Sequence, residues 1–265
     1  LMIDTGRIVA VTGASSGIGL TAARLFRDRG DKVYCLSRTD PKEPGITFIH
    51  TDVTDEASVN AAFGAIGKAE GRIDVLLSNA GIGVSGAAEC TTMQDAKRQL
   101  DVNFFGLHAC VRAAVPLMRA HGGTILATSS VAAVFAIPFQ AFYSASKFAV
   151  NALVLALANE LKPFNIRVAA IMPGDVKTGF TGARIKAEDD DNYGQSVEKS
   201  VAVMERDEQN GMGPEMIAKK FVALSLKKHP KVLSTVGLQY KFFCFLGKVL
   251  PIRLQNFIVG KMYIK

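Results

Sequence analysis

Tyr143 and Lys147 are one helical turn apart, and their pairing is the first feature of the sequence that suggests chemistry. At i and i+4 the two side chains share a face if the stretch from 142 to 162 is helical. A tyrosine in water titrates near ~10, so it serves as a proton donor or acceptor at neutral pH only with help. An adjacent ammonium gives that help by favouring the phenolate, which predicts a downward-shifted phenol. Thirteen residues upstream, GTILATSS ends in Ser129 and Ser130, either of which could hydrogen-bond a reacting carbonyl or alcohol oxygen. Tyrosine and lysine at this spacing are usually plain surface residues of an amphipathic helix. The chemistry therefore depends on what the rest of the chain brings to them.

A phosphate cradle is one such partner. The run RIVAVT (7–12) leads straight into Thr12-Gly13-Ala14-Ser15-Ser16-Gly17-Ile18-Gly19, and an Ala- and Leu-rich helical stretch follows. Glycines between a strand and a helix allow a sharp turn and close approach of backbone amides to a pyrophosphate. The helix N-terminus adds positive partial charge. Gly13, Ser15, Ser16, Gly17, Ile18 and Gly19 are thus candidate dinucleotide contacts. The second strand ends in Leu36-Ser37-Arg38, where a carboxylate would accept from the ribose 2′-hydroxyl of NAD. Arg38, beside Ser37, instead suits a 2′-phosphate, which predicts NADP(H). The positive nicotinamide of the oxidised cofactor would also favour phenolate at Tyr143.

These residues need a scaffold, and hydrophobic periodicity supplies one. Apolar, β-branched runs at 7–12, 32–37, 46–51, 73–78, 123–129 and 166–172 alternate with stretches long enough for crossover helices at 17–29, 55–70, 92–120 and 142–162. Nearly continuous apolar strands separated by helices predict an α/β, doubly wound parallel sheet of the Rossmann type, covered on both faces. Residues 182–214 are polar and contain the acidic run 188–191. They are read as a substrate lid or a solvated excursion. Pro214 then begins a helix, and KVLSTV (231–236) reads as a last strand.

Across residues 7–180 the chain resembles the short-chain dehydrogenase/reductase family. The resemblance is carried by the TGxxxGIG cradle, Asp52-Val53, Asn79-Ala80-Gly81, Asn103, Ser130, Tyr143-xxx-Lys147, and Pro173-Gly174 with Val176 and Thr178. Ser78 departs from it, since the family commonly has a second Asn there. The resemblance selects Ser130 over Ser129 and implies a role for each position. Tyr143 would be the general acid/base, Lys147 would bind the nicotinamide ribose, and Asn103 would hold a water linking Lys147 to solvent. Asp52 and Val53 would meet the adenine, Asn79, Ala80 and Gly81 would pass the ribose, and Pro173 to Thr178 would wrap the carboxamide. Taken singly, Asp52 is an ordinary helix-start residue and Asn79 a turn former.

Composition narrows the function. With 265 residues, 49% of them hydrophobic, the chain can bury one large core, and a single domain over 1–265 is expected. Cys35, Cys90, Cys110 and Cys244 form no CxxC pair, and the four histidines show no metal-ligand spacing. Reduced thiols, a cytoplasmic location and no metal site are the expectation, with no nucleic-acid partner. The net charge of +7 is concentrated at the end, because residues 219–265 hold ten Lys/Arg and no Asp/Glu. Within them, 238–265 interleaves Phe, Leu and Ile with Lys241, Lys248, Arg253, Lys261 and Lys265. Those charges and Pro251 exclude an uninterrupted membrane span. The segment is read as lying on an anionic membrane, closing over the active site, or packing on the core or a subunit interface.

Apolar loops at 81–90 and 131–142 flank the expected reaction centre and predict a hydrophobic alcohol or ketone, such as a steroid, retinoid or other lipid. The rival readings are a 3-oxoacyl carrier-protein reductase and a catalytically silent NADP(H)-binding regulator. A homodimer or homotetramer through the helices at 92–120 and 142–162 is implied by the resemblance.

Overall fold

The computed structural model describes residues 6–187 and 191–264, so residues 188–190 of the acidic run and Lys265 lie outside the described residues. Along the chain, β1 Ile8–Thr12, β2 Lys32–Ser37, β3 Ile46–His50, β4 Val75–Ser78, β5 Val84–Ser85, β6 Gly123–Thr128, β7 Ile166–Met172, β8 Ile185–Lys186 and β9 Leu233–Thr235 are strands. Seven form one sheet in the order β3-β2-β1-β4-β6-β7-β9, with every pair parallel. The other two, β5 and β8, pair in a short parallel ladder of their own.

The helices are α1 Gly17–Asp28, α2 Glu56–Glu70, α3 Met93–Leu100, α4 Gly106–Met118, α5 Ala141–Glu160, α6 Ser196–Gln209, α7 Pro214–Ser225, α8 Leu238–Val249 and α9 Ile252–Tyr263. They cover both faces of the sheet because its strands are apolar on both. Along β1, Ile8 and Ala10 enter a core with Phe63 of α2, Val111 of α4 and Val154 of α5. The alternate residues Val9 and Val11 enter a second core with Ala22 and Phe26 of α1 and Phe221 of α7. This is the doubly wound architecture that the apolar runs predict.

The expected continuous helix over 92–120 is broken. A π-helical turn at Asp101–Phe105 separates α3 from α4, and the Gly106 amide donates to the Asp101 carbonyl five residues back. Gly106 is required there, because a Cβ would come within 2.8 Å of Val53 Cγ2. Local chemistry sets the other helix ends. Asp55 accepts from the Ala57 amide to cap α2, and Thr92 accepts from the Asp95 amide to cap α3. By contrast α1 begins at Ser16 with no side-chain cap and no acidic residue in its first turn, leaving its amides open.

β1 and β4 are neighbours from which the chain winds in opposite directions. Their carboxyl ends form the topological switch point, where open α/β sheets bind ligands.

Candidate active site

One cavity of about 1190 Å³ opens at that edge. Every candidate residue lines it except Gly19 and Asn103. The elements explain how each residue arrives. After β1, Gly13 (φ +62°) and Gly17 (φ +55°) take left-handed conformations. A Cβ on Gly13 would lie 2.8 Å from Ala80 Cα, and one on Gly17 would lie 3.4 Å from Thr178 Cβ. The cradle is therefore held between the loop after β4 and the loop after β7, with the uncapped start of α1 facing it. This shape and these open amides fit a dinucleotide pyrophosphate.

Gly19 belongs behind the cradle. A Cβ there would meet the Gly13 carbonyl oxygen at 2.3 Å, so it serves close helix packing and does not itself line the cavity. Asn79 staples three strand ends together. Its Nδ2 donates to the Gly13 carbonyl (3.3 Å), its Oδ1 accepts from Thr128 Oγ1 (2.9 Å), and its amide donates to Thr12 Oγ1 (2.9 Å). At the far end, Arg38 is exposed at the rim while Ser37 is buried and donates to the Thr39 carbonyl. Asp52 accepts from the Thr54 amide and hydroxyl at 2.9 and 2.7 Å. Burial pushes its carboxyl up, but those donors and the nearby Arg38 and His50 bring it below its ordinary value.

At the reaction centre, Tyr143 and Lys147 project from the first turns of α5 toward the end of β6. Lys147 Nζ donates to the Thr128 carbonyl (2.9 Å) and lies 5.7 Å from the Tyr143 ring centroid. The two serines divide their work. Ser129 donates to Asn151 Oδ1 (2.7 Å), tying α5 to β6. Ser130 begins the short 3₁₀ turn Val131–Ala133, accepts from the Ala132 amide (3.1 Å), and hydrogen-bonds the Tyr143 phenol.

The chain's own groups do not by themselves give the downward shift expected of the phenol. Burial, with smaller contributions from Glu208 and Asp175, pushes Tyr143 up to about 12 against the opposing pull of Ser130 and Arg184. Burial also lowers Lys147 to about 8. The protein's own groups keep the phenol protonated, so pulling it downward requires positive charge contributed by a bound partner.

The side chain of Asn103 is taken up by protein groups. It is buried in the π turn, accepts from the Ile82 amide (2.9 Å), and donates to the Ile82 carbonyl (3.1 Å) and Ser146 Oγ (3.0 Å). Its side chain fixes the loop after β4 against α5. A Cβ on Gly81 would lie 3.2 Å from Asn103 Oδ1 and 3.7 Å from Lys147 Nζ, so the loop passes directly over both.

The remaining walls come from residues with no motif to mark them. Phe180, whose ring centroid is 5.9 Å from that of Tyr143, lies in the segment after β7. Met204, Asp207 and Glu208 of α6 also line the cavity, which makes the described part of 182–214 a wall with its own helix. Glu208 pairs with buried Arg184 and accepts from Thr181 Oγ1. The C-terminal pair α8 and α9 closes the far side with Tyr240, Leu246, Leu250, Val259 and Met262. Tyr240 lies flat on Gly174, where a Cβ would come within 2.1 Å of its ring, and its hydroxyl donates to Asp175 Oδ2 (2.7 Å). The inner face of α8 and α9 thus closes over the active site.

The profile of a family described as short chain dehydrogenase matches residues 7–189. The 3-ketodihydrosphingosine reductase of Bacteroides thetaiotaomicron is 39% identical over 236 residues, spanning 87% of this chain and 88% of that protein. The mouse 17-beta-hydroxysteroid dehydrogenase type 1 is 38% identical over 191 residues, spanning 65% of this chain and 55% of that protein. Among solved structures, a short-chain dehydrogenase from Streptomyces avermitilis superposes with a TM-score of 0.86 at 26% identity, with 97% of each chain covered.

Proposed function

The chain belongs to the short-chain dehydrogenase/reductase family of oxidoreductases, and on that premise we propose an NADP(H)-dependent reductase of a long-chain, lipid-like ketone. The observation that carries the reading is the continuity of one cavity. It runs from the cradle at Gly13 past Tyr143 and Ser130 to an apolar wall made by Leu246, Leu250, Val259 and Met262. Its volume of about 1190 Å³ exceeds the ~300–1000 Å³ usual for one small ligand, which leaves room for a dinucleotide and an extended chain together.

A nicotinamide dinucleotide, when bound, supplies the hydride that a carbonyl carbon receives. Tyr143 gives the carbonyl oxygen its proton, and the products are a secondary alcohol and an ionised phenol. Ser130 holds that same oxygen, which places the substrate carbonyl between two hydroxyls. Lys147, charged behind the phenol, stabilises the phenolate that proton transfer leaves.

Arg38 at the end of β2 supports NADP(H), because it offers charge-assisted hydrogen bonds to a 2′-phosphate where a carboxylate would repel it. A cellular pool rich in reduced NADP favours the direction of reduction. The relatives named for a ketodihydrosphingosine and for hydroxysteroids support an apolar substrate.

The test is oxidation of NADPH and NADH against 3-ketodihydrosphingosine, a steroid ketone, a retinoid and an acyl-thioester ketone. Fastest turnover is expected with NADPH and the long-chain ketone. Tyr143→Phe should lower kcat by roughly 10²–10⁴-fold, and Arg38→Asp should reduce the preference for NADPH by roughly 10–100-fold. Equal rates with both cofactors would refute the NADP reading. Preference for the acyl thioester would move the substrate to carrier-bound acyl chains.

A further inference from the structure

The C-terminal helices have two faces, and the catalytic cavity uses one. On α8, Tyr240, Cys244 and Gly247 turn inward, with Gly247 packed so closely on Val134 that a Cβ would lie 2.5 Å from its Cγ1. The opposite stripe, Leu238, Phe242, Phe245 and Val249, repeats at i, i+4, i+7 and i+11 and is exposed. Leu238 is 84% exposed and Phe245 58%. On α9, Gln255 and Val259 face inward, while Ile252, Leu254 and Phe257 are exposed, with Phe257 at 61%. An exposed stripe at helical spacing on α8, joined by exposed Leu254 and Phe257 on the helix that follows, leaves apolar surface that needs a cover.

Charge identifies the cover. Lys241, Lys248, Arg253 and Lys261 are exposed on these two helices, and Lys261 Nζ sits 5.8 Å from the Phe257 ring centroid. No Asp or Glu occurs in residues 219–265. Of the acidic residues of α6, which packs against α9, three are already paired: Glu205 with Lys186, Asp207 with Arg206 and Glu208 with Arg184. A second copy of the chain docking through this face in a two-fold dimer would set these cations against their own images. An anionic bilayer accepts both features, burying the aromatic stripe at the depth of the headgroups and pairing the lysines with lipid phosphates.

We propose that α8 and α9 seat the protein on the surface of an anionic membrane. Their outer stripe enters the interface and their inner face forms the wall of the catalytic cavity, so a lipid ketone reaches Tyr143 from the bilayer. Only the last clause rests on the substrate reading above. The seat itself is independent of it.

The experiment is co-sedimentation of the full chain with vesicles of phosphatidylcholine, alone or with a quarter of phosphatidylglycerol. Binding to the anionic vesicles at least tenfold tighter than to the neutral ones is expected, weakening as salt is raised. Phe245→Glu with Phe257→Glu should abolish it, while turnover of a small water-soluble ketone is retained as proof of folding. Lys241→Gln with Lys248→Gln should weaken it by roughly fivefold per charge removed. Absence of binding to anionic vesicles would overturn the proposal, as would paired phenylalanine variants that bind like the parent. Loss of a dimer in sedimentation velocity on Phe245→Glu with Phe257→Glu would assign the face to a second copy instead. If the seat holds but long-chain ketones are not turned over, the substrate reading fails and the membrane reading stands.

Discussion

Tyr143 and Lys147 are held away from their ordinary titration in opposite senses by the same cause, loss of water. The phenol, at about 12, stays protonated throughout the physiological range, ready to donate. The amine, at about 8 instead of 10.5, is close to losing its charge. For carbonyl reduction, kcat/KM should therefore be level near neutrality and fall about tenfold per pH unit above about 8, as Lys147 deprotonates. Lys147→Arg, charged at every accessible pH, should remove that fall, and a limb unchanged by it would assign the titration elsewhere. The linkage has a definite sign. Between about 8 and 10.5 the unfolded chain binds a proton that the native chain has released, so the native protein gains stability there as pH rises. Lys147→Met should accordingly unfold at an equal or higher temperature than the parent at pH ~7, with its advantage shrinking by pH ~10.

Elements decide whether such residues meet. The π turn at Asp101–Phe105 is where the chain spends a helical hydrogen-bond register to aim Asn103 at the Ile82 backbone and Ser146. Asn103→Ala strands those buried groups and should cost roughly 1–3 kcal/mol in urea unfolding. An unchanged midpoint would mean that the loop over Lys147 is held by other contacts. The strands and the cradle were legible in the sequence because burial on both faces leaves long apolar runs and because glycines mark the turn. The π turn was not, since a slipped hydrogen bond alters no apolar period. The roles of Ser129 and Ser130 could not be separated from residue type, because which hydroxyl faces the cavity depends on how the backbone leaves β6. The segments of the closing wall, 182–214 and 238–265, were flagged in the sequence, but the residues that make it were not. Tyr240, Phe180 and Glu208 are brought to the site by tertiary packing, and no motif marks them.

At the scale of the whole molecule a second exposed apolar face lies on α5. Phe148 and Leu155, i and i+7 on α5, stand 44% and 47% exposed, and Phe105 of the π turn is 53% exposed. By length and composition α5 could cross a membrane, yet Val150, Val154 and Leu157 bury its other side in the core. We expect this face to join copies of the chain, so sedimentation velocity should report a dimer or tetramer that Phe148→Glu with Leu155→Glu converts to monomer. A parent that sediments as a monomer would refute it. The contact of Tyr240 with Gly174 joins this outer geography to the inner one. Because one ring rests both on the hairpin and on the loop expected around the nicotinamide, the two cannot settle independently. Whatever factor a docked hairpin adds to dinucleotide affinity, a bound dinucleotide must return to docking, as thermodynamic reciprocity requires. Were the membrane seat proposed above to tighten the dinucleotide site, the chain would hold its reductant most tightly on the bilayer.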